Sequence, residues 1–536
     1  MNQSLEILIL LPVVIVVVSV AAARLKTPPA ILLVLTGVTL ALIPGLPTVT
    51  LAPDFVLMVV LPPVIYSSAV AMSWREFKFN LRPISLLAVG CVTFTTIAAA
   101  AAAHWLLKLP WAEGFVLGAI VSPPDAVAPL AIARRMQLPR RILVVLEGEG
   151  LANDATALVL YRFAVAAVSI GVFSLGNAMA TFAVITVGEI LWGLAVGWAL
   201  LRLRRWVREP RIEIMLSVLT PFVAYWPPQH LGGSGVLATV VAGLYISWNG
   251  LRLISAATRL QGIFFWDFLI YLTEGLVFLV TGLQARTLVE HFSGYAPLQL
   301  ALSAIVVCVV VIAARFIWMY PATYVPRLLL PGLARKDPAP PWQWPFAIAF
   351  TGIRGIVSLA AALAIPLTTD DGRPFPHRDL ILFLTFAVIL VTLVGQGLLF
   401  PTVIRVLGLA NAGHREHEAE RRDELAARRD AIEASMARLA VLGGQRELPD
   451  EVVSLLRAGQ AARLQYIDYS SSDSGARRRL VVLYDEVELQ LQAAERDLIN
   501  DLYRCGKLKD EPRRRIERDL DLRDAYLANL RADDEQ

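Results

Sequence analysis

Two aspartates, a glutamate and an arginine stand where charge is expensive. Asp154 closes the stretch Glu147-Gly-Glu-Gly-Leu-Ala-Asn-Asp154, Asp125 closes Ser122-Pro-Pro-Asp125, and Arg354 sits in Thr351-Gly-Ile-Arg-Gly355. Long apolar sequence surrounds all three stretches. A carboxylate so placed can hold a proton or, with other oxygens nearby, a hard alkali cation, and it cannot hold both at once. Asp154 is the first candidate for such an alternating group, with Asp125 as a second carboxylate for the cation. Asn153 adjoins Asp154, and Glu149 lies four residues before Asn153, on the same helix face. Ser122 offers a further oxygen, and Glu274 is a further charge in an apolar run. Arginine keeps its proton in a protein, so Arg354 is expected to neutralise and orient the carboxylates and the amide without joining the proton count.

The elements that position these residues are membrane helices. Hydrophobic residues make up 56% of the 536-residue chain, charged residues 18%, and mean hydropathy is +0.59. Soluble domains are nearer half apolar and a quarter charged. Thirteen apolar runs can be drawn, at 4–23, 29–44, 54–72, 83–107, 114–133, 142–167, 176–201, 213–227, 232–248, 261–285, 297–320, 344–367 and 380–408. The first has no basic residue before it and no small-residue cleavage site, so it reads as a helix and not a signal peptide. Asp154, Arg354 and Asp125 fall about 20, 15 and 14 Å from the basic ends of their spans at about 1.5 Å per residue, near the middle of a bilayer core about 30 Å thick. Arg315 and Arg162 read as partners of such charges or as snorkelling groups. Spans 5 and 12 are interrupted, one by Pro123-Pro124 and one by Gly352 and Gly355, with a charge at each break. Matching breaks in two halves point to an inverted repeat of spans 1–6 and 8–13, whose broken helices cross near the midplane.

Basic residues follow the odd-numbered spans: Arg24 and Lys26, then Arg75, Lys78 and Arg82, then Arg134, Arg135, Arg140 and Arg141, then Arg202 to Arg211 with Arg208 among them, then Arg252 and Arg259, then Arg327, Arg335 and Lys336. The positive-inside rule places those loops in the cytoplasm, with the amino terminus outside and the tail inside. Composition changes near Asn411, which divides the chain into 1–410 and 411–536. Residues 412–536 hold 22 of the 49 Lys+Arg and 27 of the 45 Asp+Glu, so the tail is net −5 and the remainder +9. Within the tail, 414–442 and 476–532 read as helices joined by a loop near Ser470–Ser474, with Leu425, Ile432, Met436 and Leu439 as an apolar stripe. Cys91, Cys308 and Cys505 are too far apart in sequence to suggest a disulfide framework or a zinc site.

At these residues the sequence resembles the NhaP/NHE branch of the monovalent cation:proton antiporters. Leu61-Pro62-Pro63, Ser122 to Asp125, Glu147 to Asp154, Glu274-Gly-Leu-Val-Phe278 with Gly282-Leu283, and Gly352 to Ser358 carry the likeness in order and spacing over about residues 1–408. The tail stretch Glu517-Arg-Asp-Leu-Asp-Leu522 is also similar to family tails. The resemblance implies an all-α polytopic protein of thirteen helices, a homodimer in the bacterial inner membrane, and a core domain that moves as an elevator. It implies that Asp154 carries the cation or proton with Asp125 in support, and that the Asn-Asp form exchanges Na+, K+ or Li+ for H+ one for one, without net charge. Two departures stand out: Gly150 replaces a serine, and Ser67 and Ser68 stand where relatives have a carboxylate. Arg354 is then expected to lean on Glu149 and Asn153.

Other classes fit less well. A channel would not need a titratable aspartate beside an arginine. A membrane protease would bring a motif that accompanies its aspartates, and none is present. A transporter-like sensor that signals through the tail remains a distinct reading. The tail contains no phosphate loop or nucleotide fingerprint, and neither a cofactor nor a nucleic-acid partner is expected.

Overall fold

The computed structural model describes residues 2–535 apart from 45–51, 171–174, 208, 251–252, 292–295, 447–448 and 472–474. Arg208, Arg252 and the centre of the expected tail loop therefore lie outside the described residues. The chain divides into two compact units, Met1–Gly413 and His414–Gln536. Among the described residues both are helical, and the only β pairing is an isolated bridge between Thr368 and Pro374.

The first unit runs through α1 (Asn2–Leu25), α2 (Pro29–Ala41), α3 (Pro53–Ala71), α4 (Leu81–Leu107), the half-helices α5 (Trp111–Val121) and α6 (Val127–Arg135), then α7 (Arg140–Ile170) and α8 (Leu175–Arg204). It continues through α9 (Pro210–His230), α10 (Val236–Gly250), α11 (Ala256–His291), α12 (Pro297–Leu329), the half-helices α13 (Gln343–Phe350) and α14 (Ile356–Leu363), and α15 (Arg378–Val406). Proline opens α2, α3, α9 and α12, where its missing amide costs nothing. Among the described residues seven helices are long and apolar enough to cross a membrane: α3, α4, α7, most of α8, α11, α12 and α15. They coincide with seven of the expected spans. Large apolar side chains stand on their outer faces, among them Val184, Trp198, Ile305 and Val309, as suits contact with lipid tails.

α9 continues through Pro221, Pro227 and Pro228, which in sequence argue for a break. Membrane helices tolerate internal prolines where neighbouring groups satisfy the freed carbonyls. Among the described residues three helices contain a widened π turn, at Val56–Val60, Leu86–Cys91 and Val391–Gln396. Such turns frequently mark functional positions.

Ion pairs identify which helix ends lie together. Arg82, Arg141 and Arg327 all reach Asp337, so the basic loops before α4 and α7 and after α12 share one end of the bundle. His377 Nδ1 meets Glu113 Oε2 at 2.6 Å, which joins the starts of α5 and α15.

The second unit has more helices than the sequence suggested. The helix Leu409–Arg446 (α16) leads into it, followed by α17 (Asp450–Ser470), α18 (Gly475–Arg504) and α19 (Asp510–Glu535). The stretch read as one helix over 476–532 is two, because Gly506 adopts the left-handed φ of +70° that ends a helix. Ile432 of the expected stripe is buried, and Leu425, Met436 and Leu439 are partly so.

α2 and α11 cross at glycines. A Cβ on Gly282 would lie 2.2 Å from Val34 O, and one on Gly37 would lie 2.3 Å from Leu279 O. Gly282→Ala is expected to lower stability by about 1–3 kcal/mol through overpacking. Gly188→Ala, at a helical position where a Cβ meets nothing within 4 Å, should leave the melting temperature in detergent unchanged.

Candidate functional site

The two interrupted helices meet at their breaks. Paired prolines prevent α5 from continuing, and the chain resumes as α6 after Ala126. The Asp125 amide donates to Ile353 O at 2.7 Å, across to the other break. Asp125 Oδ1 accepts from the Val127 amide at 2.9 Å and so caps α6. Asp125 Oδ2 occupies the space over Gly355, where a Cβ would lie 1.6 Å away. Only glycine at position 355 admits that carboxylate.

Arg354 reaches the other way. Its Nε donates to Val121 O at 2.8 Å and its Nη2 to Ser122 O at 3.4 Å, while Nη1 is bonded to Gly352 O. Its own amide donates to Thr392 Oγ1 at 3.0 Å, in the π turn of α15. The guanidinium, 1% exposed, thus covers carbonyls at the end of α5 that no longer have amide partners. A cation there also complements the negative end of the half-helix.

α7 supplies the Asn-Asp pair. Asn153, fully buried, donates from Nδ2 to Pro124 O at 2.6 Å, which fastens α7 to the first break. Asp154 turns to a cavity of about 410 Å³ that is also lined by Asp125, Glu274, Asp267, Glu147 and the hydroxyl residues Ser67, Ser68 and Ser358. Asp154, Asp125 and Glu274 thus bring three carboxyl groups to one cavity. Among the described residues no side-chain cation pairs with Asp154 or Glu274. Glu147, at the edge, pairs with Arg134 at 2.7 Å. The cavity has what an alkali cation needs, several hard oxygens including carboxyl groups without a cationic side-chain partner, and no soft ligand.

Two expected site residues lie elsewhere. Glu149 is 2% exposed and is held by Arg315, Nη1 to Oε1 at 2.5 Å and Nη2 to Oε2 at 2.8 Å. Arg315 also donates from Nε and Nη2 to Ile348 O. Glu149 therefore leans on Arg315 and not on Arg354, and Arg354 is hydrogen-bonded to neither Glu149 nor Asn153. The reason is that the broken α5 end offers Arg354 free carbonyls at close range. Ser122 gives its hydroxyl to Ala119 O at 3.2 Å and does not line the cavity.

Both departures from the family pattern have a local explanation. A Cβ on Gly150 would lie 2.7 Å from Ala126 Cβ, so glycine lets α7 approach the break. Ser67 and Ser68 line the cavity directly. Sequence reasoning placed Arg315 only as a general partner and passed over Thr392. Arg315 carries the same signal as Arg354, an arginine deep in an apolar run, without glycines to draw attention to it.

Glu189 and Arg162 are satisfied away from the cavity. Glu189 accepts from the amides of Ser234, Gly235 and Leu237 at the start of α10, and Arg162 donates to Gln229 at 2.8 Å.

Crossed helix breaks, buried arginine supports and a carboxylate-lined cavity within an apolar helical bundle define a membrane transporter for small cations. The chain belongs to the sodium/hydrogen exchanger family, whose transmembrane region matches residues 9–406. It is 34% identical over 536 residues to a protein named as an uncharacterized Na+/H+ exchanger from Mycobacterium bovis, covering 98% of this chain and 96% of that one. It is 33% identical over 384 residues to a sodium, potassium, lithium and rubidium/H+ antiporter from Bacillus pumilus, covering 68% of this chain and 56% of the relative. The fold is shared with the sodium proton antiporter MjNhaP1 of Methanocaldococcus jannaschii, at a TM-score of 0.60 and 18% identity over 76% of this chain and all of that one.

Breaking the buried Glu149–Arg315 pair from one side should cost about 3–5 kcal/mol. Arg315→Met alone is expected to lower the melting temperature strongly. Arg315→Met with Glu149→Leu should recover much of the loss, because replacing both charges by apolar groups of similar size leaves neither unpaired.

Proposed function

We propose that this chain exchanges a monovalent cation for protons across the membrane, with Asp154 as the group that carries one or the other. The observation that supports this most directly is the placement of Asp154. It faces a carboxylate-lined cavity beside the crossed breaks and, like Glu274, pairs with no side-chain cation among the described residues, whereas Glu149, Glu189, Arg315 and Arg354 are held by partners. Asp125 shares the cation, and the hydroxyls of Ser67, Ser68 and Ser358 supply neutral oxygens around it. Asn153 and Arg354 hold the breaks in place. Glu149 and Arg315 form a supporting pair outside the ion path, and Glu274 adds negative charge to the cavity wall.

In this reading thirteen spans form two inverted repeats, and a core containing both broken helices moves past a dimerisation domain as an elevator. The protein is a homodimer of the inner membrane, with its amino terminus outside and its helical tail in the cytoplasm. The meeting of three basic loops at Asp337 agrees with the positive-inside assignment of those loops. Na+ is the first candidate cation. The named substrates of the Bacillus pumilus relative make K+ and Li+ alternatives to be tested together with it. Because one carboxylate takes either a cation or a proton, exchange is one for one and moves no net charge.

Asp154→Asn should abolish exchange while the protein still inserts and elutes as a single species in detergent. The assay is recovery of a pH-sensitive dye in proteoliposomes on addition of Na+, K+ or Li+. Cation-driven proton flux in that variant above the empty-liposome level would overturn the assignment. Arg354→Ala should lose both activity and melting temperature, with Arg354→Lys between it and the wild type, since lysine keeps a charge but not the planar fork. An Arg354→Ala protein that melts like wild type would show that the arginine acts on the ion path itself.

A further inference from the structure

A second charged cluster lies away from the cavity, at the end of the bundle where α4, α7 and α12 meet. Asp337 forms ion pairs with Arg82 Nη2 at 2.7 Å, Arg141 Nη2 at 2.8 Å and Arg327 Nη2 at 2.8 Å. One carboxylate thus faces three guanidiniums, and two positive charges are left over. Glu76, an acid between α3 and α4, is taken by Arg140 through Nε and Nη2, at 3.0 and 2.7 Å. Asn80 Oδ1 accepts from Arg141 at 3.2 Å but brings no charge. Among the described residues no other carboxylate pairs with these three arginines.

The surplus adjoins a vacant space. Arg82 Nη1 is buried and has no acceptor. Arg82, Arg141 and Arg327 all line a cavity of about 50 Å³, whose other walls are apolar apart from Thr323 and include Leu86, Val145 and Trp344. At about 10–15 Å³ per water, that space holds a few waters or a group of similar bulk. A buried guanidinium donor without an acceptor is costly, and guanidiniums favour phosphate because their forks match its oxygens. Basic pockets at the ends of membrane helices are suited to anionic lipid headgroups.

We propose that this junction binds a phosphate group, held by Arg82, Arg141 and Arg327 beside Asp337. The apolar walls and the position at the helix ends fit the phosphate of an anionic phospholipid, and free inorganic phosphate offers the same chemistry. A bound phosphate would neutralise the excess charge and tighten a clamp that fastens the starts of α4 and α7 to the loop after α12. α7 carries Asp154, so the clamp holds one end of the helix that bears the proposed exchange group. The assignment does not depend on which cation is exchanged.

The test is thermal unfolding of the full chain in detergent with three additions: phosphatidylglycerol, phosphatidylcholine and inorganic phosphate. Phosphatidylglycerol should raise the melting temperature by at least about 2 °C at saturation, and phosphatidylcholine should not. An equal rise with inorganic phosphate supports the site with soluble phosphate as the source, and a rise with phosphatidylglycerol alone supports the lipid. Arg82→Gln should lose the rise. Native mass spectrometry of the wild-type protein, which needs no variant to fold, should show phosphatidylglycerol retained at energies that strip phosphatidylcholine. No rise with either phosphate source, equal effects of the two lipids, or a full rise in Arg82→Gln would each overturn the proposal.

Discussion

The seat of Asp125 over Gly355 is the contact on which the rest of the membrane unit depends. It places a carboxylate from one helix break inside the other, at a distance that any side chain on residue 355 would forbid. The Asp125 amide binds Ile353 O in one direction, and the Arg354 guanidinium binds Val121 O in the other. The two breaks are therefore one structural object. Backbone groups freed by a break cannot be left bare in hydrocarbon, where each costs several kcal/mol. Here they are satisfied reciprocally, by an amide from one half and a cation from the other.

This arrangement decides what each buried charge can do. Arg354 spends its donors on carbonyls, Arg315 spends its donors on Glu149 and Ile348, and Glu189 caps the start of α10. Groups with partners of fixed charge cannot exchange a proton for a cation without breaking those partnerships. Among the described residues Asp154 and Glu274 have no such partner, and they share one cavity with Asp125. The chemical freedom of the site is what remains after the structural charges have been paired.

Much of this was legible in the sequence, for reasons that can be stated residue by residue. Pro123-Pro124 and the glycines around Arg354 mark breaks because their effect on the backbone is local. The family followed from motif order, and the helical, apolar character from composition. Pairing was not legible, because it depends on which side chains meet across helices. Arg315 and Arg354 look alike in sequence, yet one holds a carboxylate and the other a set of carbonyls. Glu149 looks like a site residue because it shares a face with Asn153, but one turn along the helix is enough to take it out of the cavity. α9 runs on through three prolines, where surrounding groups override local propensity.

The step from Asn153 to Asp154 shows how closely structure and charge are coupled at the site. At 3.6 residues per turn, adjacent side chains point about 100° apart, so one faces the break and the other the cavity. The position facing the break must donate, because Pro124 O can only accept. An ionised aspartate at 153 would set one acceptor against another, and could stay there only by keeping a proton. Asparagine removes that requirement: it fixes the rotation of α7 and never titrates. The pair of residues therefore supplies one fixed bond and one exchangeable charge, and this supports the one-for-one exchange proposed above, because a second titrating group at 153 would add a proton to the cycle.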